Sequence, residues 1–289
     1  MKRRSRAIEI AILGTGNVGS ALATALQSNG YPIAEIIIRE RSRSRGRAAA
    51  LARTVGARLS TLKEARISAN VLWICVSDDA IARVVRTLAA ERNWNGKIVL
   101  HSSGALSSRE LASLKRLGAH VGSAHPMMSF VSGSTPDWRE IPFALEGDAK
   151  AVAFARTVAG KLGMKCFKIA AGSKVLYHTM GSFCSPLLVA LLRTAEQTAR
   201  TAGIPSALIP KVMRPILRKT MENYLERGAA AAFSGPMQRG DLATVSRHLR
   251  ELHKVNGAQE VYLALAAQAA KELPVRNRTG LRKLLRKHR

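Results

Sequence analysis

Apolar residues come in short runs closed by polar turns in the first half of the chain, and in long stretches of helical period in the second. IEIAIL (8–13) and AEIIIR (34–39) predict buried strands. VLWICVSDDAI (71–81), KIVLHSSGAL (97–106), AHVGSAHPMMSF (119–130) and IPFALEG (141–147) each predict a strand, most of them running into a polar turn. AIARVVRTLAAE and SSRELASLKRLG lie between these strands and have helical spacing. Such alternation predicts an α/β fold with a doubly wound, mainly parallel sheet. After KCFKIAAGSK the strand pattern ceases. Residues 173–203 predict one long apolar helix kinked at Pro186. KVMRPILRKTMENYLERG is helical around Pro215, and GPMQRGDLATVSRHLREL passes from loop to helix with Asp241 as N-cap. AQEVYLALAAQAAKEL predicts a final amphipathic helix. The expected division is 1–170 for the sheet domain and 171–289 for an all-helical substrate and dimerisation domain.

The first strand runs into Gly14, Gly16 and Gly19, spaced G-x-G-x-x-G, with Asn17 and Val18 opening the helix that follows. The first glycine permits a tight turn, the second lets backbone approach a pyrophosphate, and the third lets helix pack on strand. The helix N-terminus offers unpaired N–H groups to the phosphates. With a second strand at the right distance, this context predicts a Rossmann-like dinucleotide site; the bland alternative is a glycine-rich turn in an unrelated α/β fold. Ser77, ending another strand, joins the cofactor-binding set.

At the end of the second strand stands IIIRERSRSRGR, residues 36–47. An acid there binds a ribose 2′-hydroxyl and selects NAD, whereas basic and hydroxyl groups bind a 2′-phosphate and select NADP. Arg39, Arg41, Ser42, Arg43 and Ser44 surround Glu40 and favour NADP, with Arg41 and Ser42 as the grip. Glu40 keeps NAD open. Arg45 and Arg47 are expected on the next helix, facing solvent.

A hydrophobic fraction of 47% with 22% charged residues is a globular composition. The net charge of +27 and pI near 11.3 predict attraction to polyanions. No nucleic-acid recognition motif accompanies that charge, so specific nucleic-acid binding is not expected, and the basic tails MKRRSR and LRKLLRKHR read as solvated. Cys75, Cys166 and Cys184 have neither disulfide nor metal-ligand spacing, which suggests reduced thiols, a cytoplasmic protein and no metal. No uninterrupted apolar run reaches about 18 residues, so no membrane span is expected.

Candidate chemistry gathers at predicted strand ends and at the start of the long helix. Lys174, Tyr177 and His178 share one helical face. An ammonium, a phenol and an imidazole can each relay protons. His125 precedes a proline at a strand end and either polarises a carbonyl or bonds a backbone group. Lys174, His125 and His178 are the catalytic candidates. Ser102, Ser103 and Tyr177 are candidates for holding a substrate, while His101 reads as structural. Arg239 and Asp241 form either a substrate clamp or a capped, salt-bridged turn.

GTGNVG, HSSGALSS, VGSAHPMMSF, LYH and GPMQRGDLATVSRHL together resemble a family that joins a Rossmann-like domain to a helical domain of unknown function, described as NADP oxidoreductase-like. The resemblance runs over nearly the whole chain. It implies a second domain similar to the C-terminal domain of 6-phosphogluconate dehydrogenase, and a homodimer. In related β-hydroxyacid dehydrogenases a lysine on the first helix after the Rossmann domain is the acid/base. Lys174 matches its location, with Tyr177 and His178 where asparagines usually follow and Pro186 where another usually stands. The HPM turn is also similar to that of prephenate dehydrogenase. The expected function is an NADP-dependent oxidoreductase of a small carbonyl or hydroxy acid bound in an interdomain cleft. The alternatives are a catalytically silent dinucleotide-binding regulator or scaffold, and a basic nucleic-acid-binding protein.

Overall fold

The computed structural model describes residues 8–40, 42, 44–90, 93–131 and 136–288. Two compact units divide at 183/184. That is one helix later than the division read from the sequence, because the helix starting at Lys174 remains with the sheet.

The first unit begins with β1 (Ile10–Leu13), α1 (Asn17–Ser28), β2 (Ile33–Ile38), α2 (Arg45–Thr54) and β3 (Arg58–Thr61). It continues with β4 (Val71–Ile74), α3 (Asp78–Ala89), β5 (Ile98–His101), α4 (Ala112–Arg116) and β6 (His120–Pro126). β7 (Pro142–Gly147), α5 (Ala149–Lys161), β8 (Lys165–Lys168) and α6 (Lys174–Cys184) complete it. The strands form one sheet in the order β3-β2-β1-β4-β5-β6-β7-β8. All pairings are parallel except β6 with β7, where a 3₁₀ turn at Trp138–Glu140 stands in place of a crossover helix.

Side chains of β1 alternate between two cores. Ile10 and Ile12 pack with Leu22, Leu26, Trp73 and Phe154, whereas Ala11 and Leu13 pack with Leu72, Ile81, Val85 and Leu114. A strand covered on both faces needs apolar residues at every position, which is why IAIL and VLWI read as continuous runs. β3 and β8 escaped the pattern. They are the sheet edges, RLST and KCFK, where charge replaces alternation. Beside β3, the buried Glu35 accepts bonds from Ser60 Oγ at 2.6 Å and from the Ile67 N–H at 3.0 Å. The second bond helps hold Ile67 at φ 45°, a conformation a β-branched residue rarely adopts.

Strand order reverses between β1 and β4, the point at which open α/β sheets bind ligands beyond the carboxyl ends of their strands. Leu13 lies opposite Ile74, so the turns at Gly14 and Cys75 emerge side by side.

The second unit holds α7 (Pro186–Thr201), α8 (Ile209–Ala232), α9 (Pro236–Arg239), α10 (Leu242–Leu252), α11 (Ala258–Glu272) and α12 (Arg278–Arg286). The single kinked helix expected over 173–203 is two helices. Pro186 lacks an N–H and begins α7, with Ser185 non-helical before it. Pro215 is carried inside α8, and Gly228 at φ 76° breaks that helix near its end. Asp241 is the N-cap of α10, as read. The C-terminal basic segment is a further correction. α12 buries Leu281 and Leu285, and the Arg278 and Arg282 guanidiniums donate to carbonyls at the end of α11. That places cations at the negative end of a helix dipole.

Residues 171–201 are long and apolar enough to cross a membrane by length and composition, and their most apolar window is unburied in the single chain. The sequence reading missed this because polar residues interrupt the run.

Candidate functional site

The glycine turn after β1 can be built only from glycines at two of its positions. Gly14 has φ 102°, and a Cβ there would lie 2.5 Å from Cys75 O. A Cβ on Gly19 would lie 2.1 Å from Gly14 O, so α1 packs directly on the turn. At Gly16 a Cβ would meet nothing within 4 Å, which leaves the backbone open to an approaching group. α1 has no side-chain cap and no acid in its first turn, so its N-terminal N–H groups are suited to a phosphate. Val18 lies in that first turn. Asn17 instead reaches sideways, its amide donating to Phe130 O at 2.8 Å.

A hollow of about 270 Å³ runs from Gly14 and Gly16 past Ser77 to Ser42 and Arg47. It adjoins a wider one of about 870 Å³ bordered by Arg39, Glu40, Arg47, Lys63 and Arg83. Ser42 lines both hollows, its hydroxyl 2.9 Å from that of Ser44. Arg41 and Arg43 lie outside the described residues. Arg47 corrects the sequence reading: it is exposed, but it lines both hollows rather than facing open solvent. Lys63 and Arg83 were missed. They come from the β3–β4 connection and from α3, and no local motif marks them. The Glu40 carboxylate accepts the Lys63 N–H at 3.1 Å. These residues fit a dinucleotide carrying an extra phosphate: glycine turn, free helix end and surrounding cations.

A second group of residues gathers where β5, β6 and α6 meet. His125 Nδ1 lies 3.0 Å from the Tyr177 hydroxyl, and its ring is edge-on to His178 with centroids 6.0 Å apart. Gly104 fits against both histidines: a Cβ on it would come within 2.6 Å of His178 Cδ2 and 2.8 Å of His125 Nε2. His125 is partly buried, and burial foremost, with the Lys174, His178 and His101 charges, pushes its imidazole down to about 3. Burial pushes the Tyr177 phenol up to about 12. At neutral pH the pair is therefore an uncharged imidazole bonded to an uncharged phenol. His178 is exposed.

Lys174 belongs to this cluster but not to its surface. It is 0% exposed, and its ammonium donates to Ser103 O at 3.0 Å and Ser123 Oγ at 2.7 Å. Burial lowers it to about 8, opposed by the Glu146 and Asp78 carboxylates. Ser102 Oγ accepts the Trp73 indole N–H at 3.0 Å. Ser103 is buried, its hydroxyl accepting the Leu106 N–H at 2.9 Å. Both serines therefore help build the turn. His101 is structural, as read. It is 0% exposed, with Nδ1 accepting the Ser103 N–H and Nε2 facing Ser107 O. Burial foremost pushes it down to about 4.

In the helical unit, Asp241 Oδ1 accepts the Thr244 N–H at 3.0 Å, and Arg239 ends α9 exposed. Their local geometry is that of a capped turn. Among the described residues no group of three or more His, Cys, Asp or Glu is placed to hold a metal.

Residues 9–103 match the family model described as NADP oxidoreductase coenzyme F420-dependent. Residues 141–269 match a domain of unknown function, DUF2520. Among solved structures the chain is similar to BF3122 of Bacteroides fragilis, proposed as an NADP oxidoreductase, with 24% identity, TM-score 0.74 and coverage of 89% of this chain and 96% of that one. It is similar to protein TM1727 of Thermotoga maritima, with 24% identity, TM-score 0.70 and coverage of 96% and 98%. An imine reductase of Myxococcus stipitatus in complex with NADP+ shares the fold at 19% identity and TM-score 0.65, over 91% of this chain and 94% of that one. The two matches follow one another along the chain, the NADP oxidoreductase model on the Rossmann-like part and the DUF2520 model after it.

Proposed function

We propose that the protein is an NADP-dependent oxidoreductase acting on a small carbonyl or hydroxy-acid substrate held beside His125. The observation that carries this reading is the continuity of the cradle. The glycine turn, closed to side chains at Gly14 and Gly19 and open at Gly16, leads into a hollow ringed by Arg39, Arg47, Lys63 and Arg83. Cations around the place of an adenosine ribose favour a 2′-phosphate. Glu40, the residue that would favour NAD, has a carboxylate engaged by a backbone N–H. Ser42, with Arg41 and Arg47, grips the phosphate; Ser77, Asn17 and Val18 border the rest of the cofactor.

A nicotinamide bound there supplies or accepts the hydride. The chain's part is to place the substrate carbon and to hold a proton at its oxygen or nitrogen. His125 and Tyr177 are bonded to each other and both uncharged at rest, so a proton the pair gives to the substrate leaves a negative charge on the pair that a proton from water must neutralise. His178 stands beside them, and Ser102 belongs to the turn they face. Three cysteines, two of them raised by burial, suit a reduced cytoplasmic compartment.

The test is NADPH consumption over a panel of small ketones, keto acids and imines; the imines are included because an imine reductase shares the fold. Turnover on at least one member, lost without protein, is expected. Tight NADPH binding with no turnover on any member supports the silent-scaffold alternative instead.

The apolar helices point to a homodimer. Val175, Leu176, Met180 and Phe183 on α6, and Val212, Ile216 and Leu225 on α8, are exposed in the single chain. Exposed apolar side chains clustered along one helix mark an association surface in each unit. A lipid bilayer fits it less well, because the run is broken at Ser185 and starts from a lysine buried in the sheet unit. Light scattering in detergent-free buffer is expected to give twice the chain mass of 31.2 kDa; a monomer counts against the pairing.

A further inference from the structure

We propose that Lys174 is a positioning residue: its buried ammonium pins the 102–104 turn to β6 and thereby sets His125, and it does not itself meet the substrate. The inference rests on reading His125 and Tyr177 as the proton-handling pair.

The geometry is a closed triangle. Lys174 Nζ donates to Ser103 O at 3.0 Å and to Ser123 Oγ at 2.7 Å, and Ser123 Oγ donates to Ser103 O at 3.2 Å. Each serine lies close to His125. Ser123 is two residues before it on β6, hence on the same face of the strand. Ser103 precedes Gly104, which sits against the His125 ring with no space for a methyl group. One cation therefore fixes both the strand that carries His125 and the turn against which its ring packs. The turn is held from its other side by the Ser103 N–H bond to His101 Nδ1.

An acid or base must come within a hydrogen bond, or one water, of the atom it serves. An ammonium at 0% exposure with protein oxygens at 2.7 and 3.0 Å does not meet that requirement. Its charge still acts at a distance. The groups interacting with the Lys174–His125 region are the Glu146 and Asp78 carboxylates and the His101 and His178 imidazoles. Lys174 is the largest charge in that region opposing protonation of His125. The lysine that the sequence sets in the acid/base position thus does two things: it orients the histidine, and its charge adds to the burial that keeps the imidazole neutral.

Neither test needs a substrate. Brief acetylation of the unmodified protein with acetic anhydride above pH 8, read by mass spectrometry, is expected to label Lys174 roughly 100-fold more slowly than exposed Lys150 or Lys168, as local burial protects it. A lysine serving as the acid/base, open to substrate and of lowered pKa, labels as fast as those or faster, and that result overturns the proposal. The second readout is the NMR titration of the His125 ring in Lys174→Met, with the fold checked by the amide spectrum. Its midpoint should move up towards the ordinary histidine range, which a purely structural lysine elsewhere would not cause. An unmoved midpoint in a folded variant also overturns it. If that variant does not fold, the labelling result on the unmodified protein decides. A chain that protects Lys174 yet binds no NADPH keeps this assignment and defeats the functional reading alone.

Discussion

Replacing His125 by alanine is expected to lower kcat by about 10²- to 10⁴-fold while NADPH affinity stays nearly unchanged. The expectation follows from where the side chain sits. It stands at the carboxyl end of β6, bonded to Tyr177, and is not among the residues that line the two cofactor hollows. Tyr177→Phe, which removes only the 3.0 Å bond to Nδ1, should cost less than His125→Ala. The pH profile adds a signature. Burial and the nearby Lys174 hold the imidazole down to about 3, so it is neutral throughout the range in which an ordinary histidine titrates near 6.5. The rate should therefore show no acid limb near 6.5 arising from His125. Undiminished turnover in His125→Ala removes the residue from the chemistry.

Gly104→Ala is expected to have the second-largest effect, although the substitution adds a single methyl group. The backbone at Gly104 is not in the left-handed region, so alanine carries no conformational penalty there. The whole effect must come from the two rings. His178 is exposed and can swing aside, but His125 is tied to Tyr177, and its Nε2 and Cε1 lie 2.8 and 2.9 Å from the new atom. Overpacking of this kind costs about 1–3 kcal/mol, and here it also displaces the proposed proton carrier. Stability should fall by that order, and turnover should fall towards that of His125→Ala. In a double-mutant cycle the cost should shrink when His125 is already alanine. Additive costs show that Gly104 does not act through the histidine.

The legible parts of this site are those in which one residue type has only one structural use. Gly14 and Gly19 are glycines because backbone atoms occupy the places where their side chains would go. That necessity survives in the sequence as a spacing. Asp241 was legible as a helix cap for the same reason. Long charged side chains are different, because the same arginine serves solvent or a phosphate. Arg47 reads as solvated although it borders both hollows, and Lys63 and Arg83 join it at the wider one from the β3–β4 connection and from α3, far along the chain. Helical spacing correctly put Lys174 on the face of Tyr177 and His178. Spacing carries no depth, however, and the lysine points into the sheet while the histidine is exposed. Basic composition also concealed α12, whose leucines close the helical core and whose arginines cap α11. Part of the +27 charge thus has a structural role.

The most direct test of an NADP-binding oxidoreductase is a calorimetric titration of the unmodified protein with NADPH and with NADH, in low and in high salt. Tighter binding of NADPH is expected, an advantage that narrows as salt screens the phosphate contacts and is lost in Arg47→Ala with NADH binding little changed. Equal or tighter binding of NADH contradicts the cofactor assignment, and binding of neither nucleotide contradicts the account as a whole.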